Sequence, residues 1–213
     1  NIKVKKSTDN KQEEISLRHI FKDKILNLYS TYVLIGTIAM STALGLKMLT
    51  LTNYFKFSDN VATNYLLIVG LLADIFGIIA LKYLTPKNDY LTMTIKFGIR
   101  FLAYVIAFIS NNMLITLIAI TWSIFISTSY ENICDAVYIN RLENKYQLSF
   151  SNICHIIRFL GEAIGVYLCG LMYEMGLKYM FGLSALFMIV QISLAYYLIY
   201  LRKKEKDLKE EKI

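Results

Sequence analysis

Four residues recur in one stretch of this chain at helical spacing: Ser151, His155, Arg158 and Glu162, separated by 4, 3 and 4 positions. At about 100° per residue they form one polar stripe. A base, a permanent cation and a carboxylate on one helix face could carry a proton, hold an ion pair or bind a charged solute. A second set, Ser127, Glu131 and Asp135, recurs every four residues in the preceding stretch. Counted from the joint between the two stretches, at Asn140 and Ser149, Glu131 and Arg158 are each nine residues in. Antiparallel neighbours at equal depth meet, so this register predicts a Glu131–Arg158 ion pair with Asp135 near His155. The pair reads either as a structural clamp on the inner end of a helical hairpin or as a gate that forms and breaks. Asp74 stands apart, near the middle of an otherwise apolar run.

The elements that must position these groups are six apolar stretches of roughly twenty residues each: 26–50, 64–84, 90–110, 113–130, 150–172 and 179–201. About 20 apolar residues span the ~30 Å hydrocarbon core as a helix. In lipid, only helices or closed barrels satisfy their own backbone polar groups. The chain is 56% hydrophobic with one proline, Pro86. Runs such as Leu66–Leu72 and Leu183–Ile192 are nearly apolar all round, which a soluble amphipathic helix is not. The sequence therefore predicts an all-α integral membrane protein: a charged segment over 1–25, a six-helix bundle over 26–201 and a charged tail over 202–213.

Net charge +7 could indicate nucleic acid, but the placement of the charges excludes it. Lysines and arginines crowd the two ends and alternate joints (Lys82 and Lys87; Arg141 and Lys145), whereas the opposite joints hold only Lys56 and Lys178, with Lys47 at a helix end. This is positive-inside asymmetry, and it predicts both termini in the cytoplasm. Residues 17, 20 and 21 suggest a short amphipathic helix at the inner interface. No leader with a cleavage site is present, and the polar start at Asn1 reads as a cut inside a hydrophilic loop of a longer protein. Cys134, Cys154 and Cys169 show no CxxC or Cys/His cluster, and only His19 and His155 are available, so neither a metal site nor a cofactor is expected.

An ionisable group at mid-membrane costs about 2.5 kcal/mol or more and normally faces a cavity or a partner. Asp74 is then either a coupling carboxylate or one hydrogen-bonded to neighbouring helices. Lys96 and Arg100, one turn apart near an inner end, are expected to snorkel to lipid phosphates. Tyr196, Tyr197 and Tyr200 read as an interfacial belt.

Six spans, cytoplasmic ends, the polar joint Ser149-Phe150-Ser151-Asn152, and the following Arg158-Phe159-Leu160-Gly161-Glu162-Ala163-Ile164-Gly165 with Gly170 together carry a resemblance. The pattern resembles the C-terminal half, spans seven to twelve, of a major facilitator superfamily transporter. Gly70-Leu71-Leu72-Ala73-Asp74-Ile75-Phe76-Gly77 partly echoes that family's loop motif, without its basic residues and half-way down a span. The resemblance implies a non-enzymatic permease of a bacterial inner membrane, moving a small solute by alternating access, cation- or proton-coupled. It also implies an N-terminal six-span half as partner, besides membrane lipids and the solute. Asp74 and Glu162 are then the coupling or substrate candidates, Glu131, Asp135, His155 and Arg158 the gating pair, and Gly161, Gly165 and Gly170 the packing residues, GxxxG permitting close helix approach. Two other readings stay open: a self-contained membrane enzyme or lipid-handling protein using His155, Glu162 and Asp74, and a channel or pump membrane domain.

Overall fold

The computed structural model describes the backbone of residues 23–83, 89–110, 112–125 and 144–210, with side chains except at 77, 80–83, 89–96, 144–146 and 205–210. The charged N-terminal segment, the joint around Pro86, and Glu131, Cys134 and Asp135 lie outside the described residues. Within them the chain forms six long helices and no strand. These are α1 (Lys24–Leu44), α2 (Asp59–Tyr83), α3 (Asp89–Ile109), α4 (Met113–Phe125), α5 (Asn144–Met175) and α6 (Leu177–Glu210). Four helical segments are long and apolar enough to cross a membrane: Lys24–Tyr54, Asp59–Phe76, Gln147–Met175 and Leu177–Lys204. The described apolar parts of α3 and α4, Phe97–Ile109 and Met113–Phe125, are shorter.

Local chemistry sets the helix ends. The Asp23 carboxylate accepts from the backbone N–H of Ile25 at 2.8 Å and of Leu26 at 3.3 Å, capping α1. Beyond Leu44 the helix loosens through Lys47–Leu49 into a π-turn at Thr50–Tyr54, closed by Phe55 N–H to Thr50 O at 3.2 Å. Lys56 takes a positive φ of 59° at the end of that turn. Ser58 caps α2, accepting from Val61 N–H at 3.4 Å. Asn112 caps α4, its Oδ1 accepting from Leu114 N–H at 2.9 Å. Between α5 and α6 a single residue turns the chain. Gly176 has φ 130°, a region closed to most side chains, and its N–H reaches Met172 O at 3.0 Å.

α1 is the hub, packing against both α5 and α6, while α3 packs against α6. Just over half of the apolar window of α1 is buried (56%), against 17% in α2 and in α5, so those two helices present most of their surface outward. Aromatic contacts tie α1 to its neighbours. Tyr32 meets Phe97 of α3 edge-on at 5.8 Å, and Tyr29 meets Phe150 of α5 at 6.2 Å. Such pairs contribute about 0.5–1.5 kcal/mol each beyond burial. Several buried hydroxyls are satisfied by their own helices: Ser30 donates to Leu26 O, Thr37 to Val33 O, Thr42 to Ile38 O and Ser184 to Met180 O, whereas Thr50 Oγ1 in the π-turn is buried without a partner among the described residues. That pairing lets polar side chains sit in a dry interior at little cost.

Candidate functional site

The predicted stripe exists on α5 and lies beside the packed face, not within it. Gly161, Gly165 and Cys169 are buried against α1, whereas His155 and Glu162, one residue round the helix from that face, are exposed; Ser151 and Arg158 are half-buried. A Cβ at Gly161 would come within 3.0 Å of Thr37 Cβ and 3.1 Å of Leu34 O. At Gly165 it would come within 2.6 Å of Ser41 Cβ and 2.9 Å of Ile38 O. The buried Cys169 thiol lies against the backbone of Leu46 and Gly45. Thr37, Ser41 and Gly45 thus meet Gly161, Gly165 and Cys169, small residues four apart on both helices. Ascending numbers pair with ascending numbers, so α1 and α5 run parallel, as the odd number of helices between them, three, requires.

Gly170 does not share this role. Nine residues beyond Gly161 is half a turn out of phase, and a Cβ there would meet nothing within 4 Å.

Asp74 is exposed on α2. The inward face of that helix consists of Ala62, Val69 and Ala73, all buried. It is held to α4 by a hydrogen bond between the Tyr65 and Thr121 hydroxyls and by the Phe76–Phe125 ring contact at 4.8 Å. One residue beyond Ala73 turns Asp74 about 100° from that face. Asp74 lies fifteen residues after Asp59, and Glu162 fourteen before Gly176, each about 22 Å from its helix end at 1.5 Å per residue. α2 and α5 run in opposite directions, so the two carboxylates lie at similar distances from the same end of the bundle. Arg158 is one turn away from Glu162, toward the opposite end of α5. Asp74, His155 and Glu162 make no hydrogen bond or ion pair among the described residues.

Arg100 departs from expectation. It does not snorkel: the residue is 1% exposed, its Nε donates to the Tyr104 hydroxyl at 3.2 Å, and its guanidinium lies 5.8 Å from that ring's centre. Phe97, Arg100, Tyr104 and Ala107 recur at 3, 4 and 3, placing Arg100 on the packing stripe of α3. That spacing was the available signal. Tyr104 in turn packs on Phe181 of α6 at 6.3 Å. Gln191 was also missed. It is 4% exposed on α6, and its amide fills the notch left by Gly36 of α1. The side chain of Lys96 is outside the described residues, as is any partner that Glu131 or Asp135 would provide.

Chemically, the outward faces of α2 and α5 offer two carboxylates, an imidazole and a guanidinium in an apolar setting. Carboxylates and imidazole can pass protons, and the guanidinium can hold an anion or an ion pair. Among the described residues no three His, Cys, Asp or Glu side chains gather as metal ligands. No family model matches this chain, and no curated protein matches it.

Proposed function

We propose that this chain is a six-span membrane module of a secondary transporter, of the major facilitator type, which moves a small polar or charged solute by alternating access. One observation carries the reading: Asp74, His155 and Glu162 are exposed on the bundle surface, unpaired among the described residues, on helices otherwise clothed in apolar side chains. Left against lipid, each charge at mid-depth would cost about 2.5 kcal/mol or more. A water-filled path between this bundle and a second six-span half removes that cost and gives the groups work to do. In this arrangement the α1–α5 seam is a rigid spine, and the exposed faces of α2 and α5 line the path. The bundle sits in a cell membrane with both ends of the segment on the cytoplasmic side.

Aqueous access tests the proposal. Native cysteines are replaced by serine, and single cysteines are introduced at Gly70 and Glu162 of the protein in membranes. A lined path predicts reaction with a charged thiol reagent from one side, with the reactive side changing when solute or its coupling ion is added. Silence from both sides would place these faces in lipid and sink the reading.

A further inference from the structure

The outer faces of α3 and α6 enclose a groove that the transport reading does not use. Phe101, Val105 and Phe108 form one wall and Gly182, Leu186 and Ile189 the other, with Met172 and Tyr179 at the end nearest the α5–α6 turn. The cavity measures about 450 Å³ and its lining is almost wholly apolar. Phe108, Leu186 and Ile189 are exposed along it. Gly182 sets its depth, since a Cβ there would come within 2.8 Å of the Phe108 ring.

At the rim stands a cation. Lys178 is exposed, and its ammonium lies 5.5 Å from the centre of the Tyr179 ring, which itself lines the groove. No ion pair occupies Lys178, and Glu174 across the turn does not reach it. Lys178 is also the second residue of α6, where the helix dipole adds positive potential.

We propose that this groove is a binding site for one anionic phospholipid, with an acyl chain lying between α3 and α6 and the headgroup phosphate held by Lys178. The two halves of the site match the two halves of the ligand. An apolar slot running along the helices suits a chain that is already aligned with the membrane normal. A lysine at the membrane-surface end of that slot stands at headgroup level, where one basic residue contributes enough attraction for about a fivefold preference for an anionic lipid. A zwitterionic lipid fills the same slot without that gain. The site is independent of the transport reading and survives its failure.

Site-specific quenching tests the proposal on the full chain in vesicles. Trp122→Phe removes the one native tryptophan, and Tyr179→Trp places a reporter at the rim while keeping a ring under Lys178. Brominated phosphatidylglycerol should associate with this reporter about fivefold more strongly than brominated phosphatidylcholine at low salt. Adding Lys178→Gln should bring the two lipids to parity, as should high salt. Excess inorganic phosphate should leave the preference unchanged. Thermal melting in detergent confirms that each variant is folded. Equal quenching by both lipids, or a preference that survives Lys178→Gln, overturns the proposal; displacement by inorganic phosphate assigns the cation to free anions and overturns it as well.

Discussion

Gly165 of α5 lies so close to Ser41 of α1 that a Cβ at the glycine would stand 2.6 Å from the serine Cβ and 2.9 Å from Ile38 O. In lipid, helices gain little from hiding apolar surface, so close backbone approach and van der Waals contact decide which pairs adhere. The Thr37-Ser41-Gly45 row against Gly161-Gly165-Cys169 is therefore the join on which α5, and with it the polar stripe, is hung.

Gly165→Leu should break this join. Overfilling a packed contact costs about 1–3 kcal/mol, and here the obstruction includes backbone that cannot swing aside. The expected outcome is a lowered melting temperature in detergent and loss of folded material. Gly170→Leu, facing open space, should melt like wild type. Equal sensitivity of the two positions would contradict the α1–α5 packing.

Arg100 should tolerate little. Truncating a large, fully buried side chain to alanine costs about 2–5 kcal/mol through lost contacts and the cavity left behind. Arg100→Ala is expected to destabilise strongly, through both lost charge contacts and an unfilled volume. Tyr104→Phe keeps the ring and removes only the hydroxyl acceptor, and should cost roughly 1 kcal/mol. Detergent melting curves of the two variants give the comparison; a mild Arg100→Ala would restore the snorkelling picture.

The charge asymmetry predicts a membrane orientation with both ends of the segment inside. A single cysteine at Ser58, which caps α2, should react with an impermeant thiol reagent added outside intact cells. One at Lys145 should react only after the membrane is opened. The reverse pattern would invert the bundle.

Asp74 is the carboxylate proposed to couple solute to an ion. Asn keeps its size and loses its charge and its proton. Under the transport proposal, Asp74→Asn should abolish uphill accumulation by the intact protein while leaving solute exchange near wild type. Accumulation at the wild-type level would make Asp74 a structural residue.

The expected inner pair gives a further measurement. Glu131→Arg alone should lower activity or stability by breaking the contact with Arg158, and the double variant Glu131→Arg with Arg158→Glu should recover part of it. No recovery would mean that the two residues do not touch.

The sequence by itself determined the class of this molecule. Apolar runs long enough for a bilayer, Ser58 and Asn112 at helix starts, and Gly176 at a turn that needs a positive φ are local facts, governed by hydropathy and backbone geometry within a few residues. The stripe on α5 was equally legible, since 4-3-4 spacing fixes a face without reference to any neighbour. Tertiary structure alone decided what each face meets. Gly161 and Gly170 look alike in sequence, but only the first falls in phase with α1. Arg100 looked like a lipid anchor until the packing of α3 on α6 enclosed it with Tyr104. Asp74 and Glu162 are far apart in the chain and lie at similar distances from the same end of the bundle only because α2 and α5 run in opposite directions. In a chain apolar on nearly every side, hydropathy cannot tell a lipid-facing surface from a protein-facing one; close packing of particular side chains makes that distinction.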